Sequence, residues 1–218
     1  MQTPSKRRYS SRQRAENAEA TRGRILGAAR DLFSRRGIDA TTIAQIAARA
    51  RVSVPTVYAT LKSKMGILRE LMREALFGPR YAKAIEVLAH ATDPVDAIAR
   101  TAQVARAVYE GESAELSLLM NAAAFSPELR KLQLEFEQLR LNLQRDRIER
   151  LFEHGSAKPG LDRASARHVL WMLTSRDVYR MLVHESGWSS DRYQAWLSET
   201  LVRLLTRETP RSNRGPAR

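Results

Sequence analysis

Lys62 and Lys64 stand on either side of Ser63, a residue able to cap a helix that begins at Lys64. A helix dipole disfavours cations at its N-terminus, so the simplest chemistry for this pair is to hold an anion. Other reactive side chains do not assemble. His90, His154, His168 and His184 are scattered without metal-ligand spacing, and no cysteine is present to act as nucleophile, disulfide partner or thiolate ligand. There is no glycine-rich phosphate loop and no G-x-S-x-G elbow, and the carboxylates sit on charged helical faces. Neither an enzyme nor a metal or cofactor site is expected.

The elements that position the two lysines lie just upstream, between Thr41 and Lys64. Thr41 and Thr42 are N-cap candidates for a short helix with Ile43, Ile46 and Ala47 on its buried face. Small Ala44, Ala47 and Ala48 let another helix come close. Arg51-Val52-Ser53 forms the connection, with Val52 as an apolar plug and Ser53 as the cap of a second helix. Pro55 falls in the first turn of that helix, where a missing N–H is harmless. Val57 and Leu61 are one turn apart and face inward, which leaves Val54, Thr56, Tyr58, Ala59 and Thr60 on the outward surface. Upstream, Ile25, Ala28, Ala29, Leu32 and Phe33 mark a supporting helix over about Ala18 to Arg36, ended by Gly37.

Charge points the same way. Residues 1–64 hold 14 Lys+Arg against 4 Asp+Glu, and the rest of the chain 23 against 20, within a total net charge of +13. The basic character therefore belongs to the head, as a surface that holds phosphates requires. Residues 1–17, with Lys6, Arg7, Arg8, Arg12 and Arg14, read as a disordered arm that either solubilises the protein or lies along phosphates. Arg22 and Arg24 are either phosphate contacts or solvated. No apolar segment follows the N-terminal charges and no run is long enough to span a bilayer, so a soluble cytoplasmic protein without membrane partners is expected.

The stretch Val52 to Lys64, V-S-V-P-T-V-Y-A-T-L-K-S-K, resembles the helix-turn-helix signature of the TetR family of bacterial transcriptional repressors, and the likeness extends back through Ile25, Phe33, Gly37 and Thr41-Thr42. By family position, Tyr58 and Lys64 hold phosphates, joined by Thr41 or Thr42. Ala44, Val54, Pro55, Thr56 and Thr60 face the bases. Lys62 belongs to the same DNA-binding set, and Arg49 or Arg51 adds a further contact. None of the base-facing side chains forms the bidentate Arg–guanine pair worth roughly 1–3 kcal/mol. The expected operator is read through thymine methyls, shape and phosphates. Arg51 occupies a turn position where the family often has Gly.

Beyond the head, every period is helical. A helix from Lys64 with Ile67, Leu68, Leu71, Met72, Leu76 and Phe77 runs to Gly78-Pro79. Tyr81, Ile85 and Leu88 define the next, and Asp93-Pro94 opens one that carries Val95, Ile98, Ala102, Ala105 and Tyr109. Residues 115–125 are apolar all round and read as the buried centre of the body. Asn121, the one amide there, bonds either a backbone group or a ligand. A long helix is expected from Ser126-Pro127 to about Glu153, with Leu129, Leu132, Phe136, Leu139 and Leu143 as its seam. Residues 162–185 and about 190–207 form the last two helices, the first with apolar faces around Val169, Met172 and Trp171, the second around Tyr193, Trp196, Leu197 and Leu201. Trp171 and Trp196 are core or interface anchors.

The expected organisation is all-α: an arm over 1–17, an N-terminal three-helix helix-turn-helix head over 18–64, a connecting helix over 65–78, a helical ligand-binding and dimerisation body over 79–208 and a disordered tail over 209–218. The resemblance implies a homodimer through residues 162–185 and 190–207, bound to a pseudo-palindromic double-stranded DNA operator. It also implies release by an unidentified small-molecule effector. Tyr109, Met120, Asn121, Phe125, Trp171 and Ser175 are candidates for lining its site, and their character suggests a hydrophobic or amphipathic ligand. The alternative is a non-inducible architectural DNA-binding protein with a filled body.

Overall fold

The computed structural model describes residues 4–110 and 126–207, with side chains from residue 13 onward. The described chain is helical, without strands; one isolated antiparallel bridge joins Ala157 to Thr206. It divides into two compact units. Of the described residues, the first holds those through Leu76 and 126–133; the second begins at Phe77 and resumes at Leu134.

In the first unit, α1 (Pro4–Arg36) is much longer than its apolar stripe. The arm expected over 1–17 is helical from Pro4, because Pro4 suits a first turn and Arg, Gln, Glu and Ala follow without a breaker. Its buried face is Ile25, Leu26, Ala28, Ala29 and Phe33, and Gly37, at φ 79°, turns the chain out of it. α2 (Ile43–Ala50), α3 (Val54–Leu61) and α4 (Lys64–Phe77) follow, with Ile46, Val57, Ile67 and Leu68 sealed among them. Ala44 and Ala48 remain exposed, so of the three small residues only Ala47 serves close packing.

The second unit is arranged around α6 (Pro94–Tyr109), which packs against α5 (Pro79–Ala89) and the last helix, α11 (Ser190–Leu205). Asp93 caps α6 through the Asp96 amide, and Ile98, Ala102 and Ala105 are buried along it. α7 (Pro127–Leu143) contributes its residues up to Gln133 to the first unit and the rest to the second. The single long helix expected here is divided at Gln144, where α8 (Arg145–Glu153) begins. Gln144 is buried, and its Nε2 donates to the Thr174 hydroxyl at 2.8 Å, a tertiary bond invisible to helical periodicity. The seam also stops early: Leu129, Leu132 and Phe136 are buried, while Leu139 and Leu143 are exposed.

The helix expected over 162–185 is likewise broken. α9 (Arg163–Leu173), capped by Asp162, ends at Thr174, whose hydroxyl donates back to the Leu170 carbonyl at 2.7 Å. Ser175 then caps α10 (Arg176–Tyr179), which widens into a π-helical turn, Arg180–Glu185. Adjacent Thr and Ser hydroxyls offer the backbone alternatives to a continuing helix. The buried stripe of α9 is Ala166 and Leu170 rather than the faces expected from sequence. Residues 115–125 and the tail from Thr209 lie outside the described residues.

Candidate nucleic-acid interface

α2 and α3 are short, and their ends are held by side chains. Thr42 and Gln45 form a capping box: the Thr42 hydroxyl accepts from the Gln45 amide at 3.2 Å and the Gln45 carbonyl oxygen accepts from the Thr42 amide at 2.9 Å. At the other end of α2 Arg51 adopts the left-handed conformation, φ 55° and ψ 48°, which reverses the chain toward Val52. The Val52 amide donates to the Ala47 carbonyl at 3.0 Å, closing the turn. Ser53 then caps α3, accepting from the Thr56 amide at 3.2 Å.

The outward face of α3 presents Val54, Pro55, Tyr58 and Ala59, with Thr56 and Thr60 half-buried beside them. Tyr58 is 49% exposed although an aromatic ring loses by facing water. The Thr60 hydroxyl is not a free donor. The Thr56 hydroxyl shares a hydrogen bond with Ser53 Oγ at 2.8 Å, and the Thr60 hydroxyl donates to the Thr56 carbonyl at 2.7 Å. Thr60 therefore offers lone pairs, and Val54, Pro55 and Ala59 offer apolar contact of the kind a thymine methyl accepts.

At the α3–α4 junction Lys62 is left-handed, φ 66°, and Ser63 Oγ accepts from the Gly66 amide at 3.0 Å. Lys62 reaches the Ala59 carbonyl at 3.3 Å and Lys64 the Asp39 carbonyl at 3.4 Å, so both ammoniums rest on the rim of the head with donors to spare. A concavity of about 400 Å³ opens here, lined by Thr60, Leu61, Lys62, Ser63, Met65, Gly66, Arg69 and Glu70.

Several expected contacts are placed elsewhere. Thr41 is 1% exposed and its hydroxyl donates to the Gly37 carbonyl at 2.8 Å, so Thr42 is the exposed threonine at the start of α2. Arg22 binds Glu70 and Glu19, and Arg49 binds Asp31 at 2.8 Å. Arg22 is thus a tie between α1 and α4. Ala44, Arg51 and Lys62 are exposed as expected, and Lys64 is half-buried. Gly66 was not singled out from sequence; a glycine in the first turn of a helix, where propensity disfavours it, was the available signal.

Residues 25–71 match the family of bacterial regulatory proteins named for tetR. The chain carries the helix-turn-helix head of the TetR family. Solved structures share the helical fold. NalD of Pseudomonas aeruginosa, the secondary repressor of the MexAB-OprM multidrug efflux pump, superposes with a TM-score of 0.65 at 24% identity, covering 89% of this chain and 100% of its own. FadR of Bacillus subtilis, solved with stearoyl-CoA, gives 0.64 at 21% identity over 82% and 96% of the two chains. A TetR-family regulator from Syntrophomonas wolfei gives 0.68 at 19%, over 85% and 96%. No curated protein matches the sequence. Among the described residues there is no helix long and apolar enough to cross a membrane and no cluster of metal-ligating side chains.

The residues expected to line an effector site are not gathered at one point. Tyr109 is buried with its ring 5.9 Å from Tyr179, which in turn meets Tyr193 edge-on at 4.8 Å. Ser175 is the cap of the turn that carries Tyr179. Trp171 is half-buried on α9 beneath the Arg140 guanidinium, 5.3 Å from its ring, and Arg140 also donates to the Trp171 carbonyl at 2.7 Å and the Thr174 hydroxyl at 3.1 Å. Met120, Asn121 and Phe125 lie outside the described residues. Sequence reasoning did not join Arg140, Gln144 and Thr174 to Trp171, because each sits in a pattern that reads as an ordinary helical face.

Proposed function

We propose that this protein is a TetR-type transcriptional repressor that occupies a pseudo-palindromic operator as a homodimer and leaves it when a hydrophobic or amphipathic small molecule binds the helical body. The observation that carries this is the outward face of α3. It exposes Val54, Pro55 and Tyr58 in a head whose net charge is basic, with Lys62 and Lys64 at its edge. Phosphate contacts from Tyr58, Thr42 and the two lysines set the register, and short side chains read thymine-rich edges in the major groove. Two such heads imply half-sites about one helical turn apart or somewhat more.

Dimerisation is supported by Met172, Met181 and Leu204, large apolar side chains left exposed on the last segments of the body. Effector binding is supported by polar atoms sealed in that body without hydrogen-bond partners among the described residues: Trp171 Nε1, Gln144 Oε1 and the Tyr193 hydroxyl. Buried polar groups are nearly always satisfied, so a run of orphans calls for a missing partner. Burial pushes the Tyr193 phenol well above its ordinary value, which keeps it a protonated donor. NalD is a repressor and FadR was solved with an acyl thioester, which fits the same scheme. Effector binding acts only through its differential affinity for the DNA-competent and released states.

The test is a footprint on DNA around the protein's own gene at several salt concentrations, with wild type and with Tyr58→Ala plus Lys64→Ala. A protected pseudo-palindrome that weakens with salt and with the double substitution is expected. Uniform coverage without a preferred site favours the architectural reading, and absence of binding at low salt overturns the DNA head.

A further inference from the structure

The first three turns of α1 hold charge of one sign. Residues 4–14 include Lys6, Arg7, Arg8, Arg12 and Arg14 without an Asp or Glu, and the first carboxylate of the sequence is Glu16. Lys6, Arg7 and Arg8 therefore have no acidic residue within four positions, the span over which helical side chains pair. Arg8 and Arg12 stand at i,i+4, a like-charge spacing that works against the helix. Its first turn has no acidic residue, although the macrodipole there favours anions and disfavours cations.

Packing does not account for this part of the helix either. Among the described side chains Ile25 is the first that is buried on α1, and those from Gln13 to Ala20 are all exposed. At 1.5 Å per residue, α1 runs about 30 Å from Pro4 to Ile25. Helices in proteins draw most of their stability from an apolar face packed on the rest of the molecule. After Pro4, the apolar residues as far as Ala20 are Tyr9 and three alanines, too few to make such a face. A solubilising tail needs net charge, but neither a helix nor a block of one sign. The partner that suits this segment is an extended anion.

Two observations favour duplex DNA over other polyanions. The segment belongs to the same compact unit as α3, so it accompanies the helix that faces the bases. It also lacks the large apolar residues that an interfacial helix sets opposite its cations, which argues against a lipid surface. Duplex DNA presents one negative charge for about every 1.7 Å of its axis, a density that a helix with five cations in three turns can meet.

We propose that residues 4–14 of α1 form a second DNA-contact element, which lies along the phosphates flanking each half-site. This rests on the head being the DNA-binding part of the protein, and it extends the contact beyond the base pairs under α3. Lys6, Arg7 and Arg8 neutralise phosphates without reading bases, and the anions relieve the opposition between these cations and the helix dipole.

The test compares the full chain with a triple variant, Lys6→Gln, Arg7→Gln and Arg8→Gln. Two duplexes are used: the footprinted operator with about one helical turn of flank on each side, and the same operator trimmed to the pseudo-palindrome. On the flanked duplex the substitutions should weaken binding at least about tenfold at low salt and lower the slope of log affinity against log salt by about 2 to 3 for each bound head. On the trimmed duplex the two proteins should converge, because the flanking phosphates are gone. Melting temperature without DNA should not change, since the substituted positions lie outside the packed part of the head. A slope lowered by less than about one, or wild-type affinity indifferent to the flanks, would overturn the arm and leave the helix-turn-helix reading intact. Absence of binding to either duplex at low salt would overturn both.

Discussion

The Cα of Gly66 lies directly against the Leu61 carbonyl: a Cβ at Gly66 would meet that oxygen at 1.8 Å. This approach lets α4 start with only Lys62 and Ser63 between it and α3, Lys62 having a positive φ and Ser63 Oγ accepting from the Gly66 amide. The position of Lys62 and Lys64, proposed to face phosphates, depends on it. Gly66→Ala should therefore destabilise the head by more than about 2 kcal/mol, as steric overlap with backbone does. Gly27, exposed on α1 with nothing near its Cβ position, is the control. Gly27→Ala should stabilise by about 0.5–1 kcal/mol through helix propensity alone. Urea midpoints that move in opposite directions are expected; a Gly66→Ala variant as stable as wild type would contradict the geometry.

Arg22 on α1 binds Glu70 on α4, and Arg30 reaches Glu74 one turn on at 3.2 Å. Burial by itself would raise the Glu70 carboxyl, but hydrogen bonds and charge from Arg73 and Arg22 outweigh it and hold it below the ordinary value of 4.5. A depressed folded-state value means stability that is present above the unfolded value and lost as pH falls through the folded one. Glu70→Gln should cost on the order of 1 kcal/mol at pH 7 for this partly buried pair. The gap between variant and wild type should be narrower at about pH 3 than at pH 7, because stability is lost as pH falls toward the depressed folded value. Chemical denaturation at the two pH values checks this, and a gap independent of pH means the charge of Glu70 contributes nothing.

The features that follow from neighbouring residues were legible in the sequence: Ser53 with Pro55 opening α3, Asp93 with Pro94 opening α6, Gly37 ending α1, and Asp162 capping α9. Each is a bond or a dihedral settled within four residues. Features settled at long range were not legible. The break at Gln144 coincides with a partner 30 residues away, and Arg22 finds Glu70 across 48. Thr41 and Thr42 are chemically equivalent in sequence, yet one is buried and the other caps α2.

Arg51 holds a left-handed turn in which a non-glycine residue carries roughly 1–2 kcal/mol of strain. Arg51→Gly should accordingly raise the stability of the head, read as a higher melting temperature. Its exposed guanidinium gives a second readout. If Arg51 touches a phosphate on the operator, Arg51→Gly weakens binding and lowers the slope of log affinity against log salt by about one. A more stable head with an unchanged slope assigns Arg51 to the turn alone, and loss of stability contradicts the strain.

Met172 is 52% exposed on α9, Met181 lies on the π-helical turn and Leu204 on α11, both uncovered. Scattered apolar residues on a monomer surface are ordinary, but these three occupy the segments proposed to meet a two-fold mate. Charging them leaves the monomer core untouched, because none contributes to it, whereas in a dimer an unpaired carboxylate at a desolvated contact costs several kcal/mol, of the order of about 3–5. Met172→Glu combined with Met181→Glu should therefore convert dimer to monomer in light scattering while circular dichroism stays helical. Operator protection should fall with it, since a single head makes only half the contacts. A variant that remains dimeric and protects the operator would move the interface elsewhere on the body.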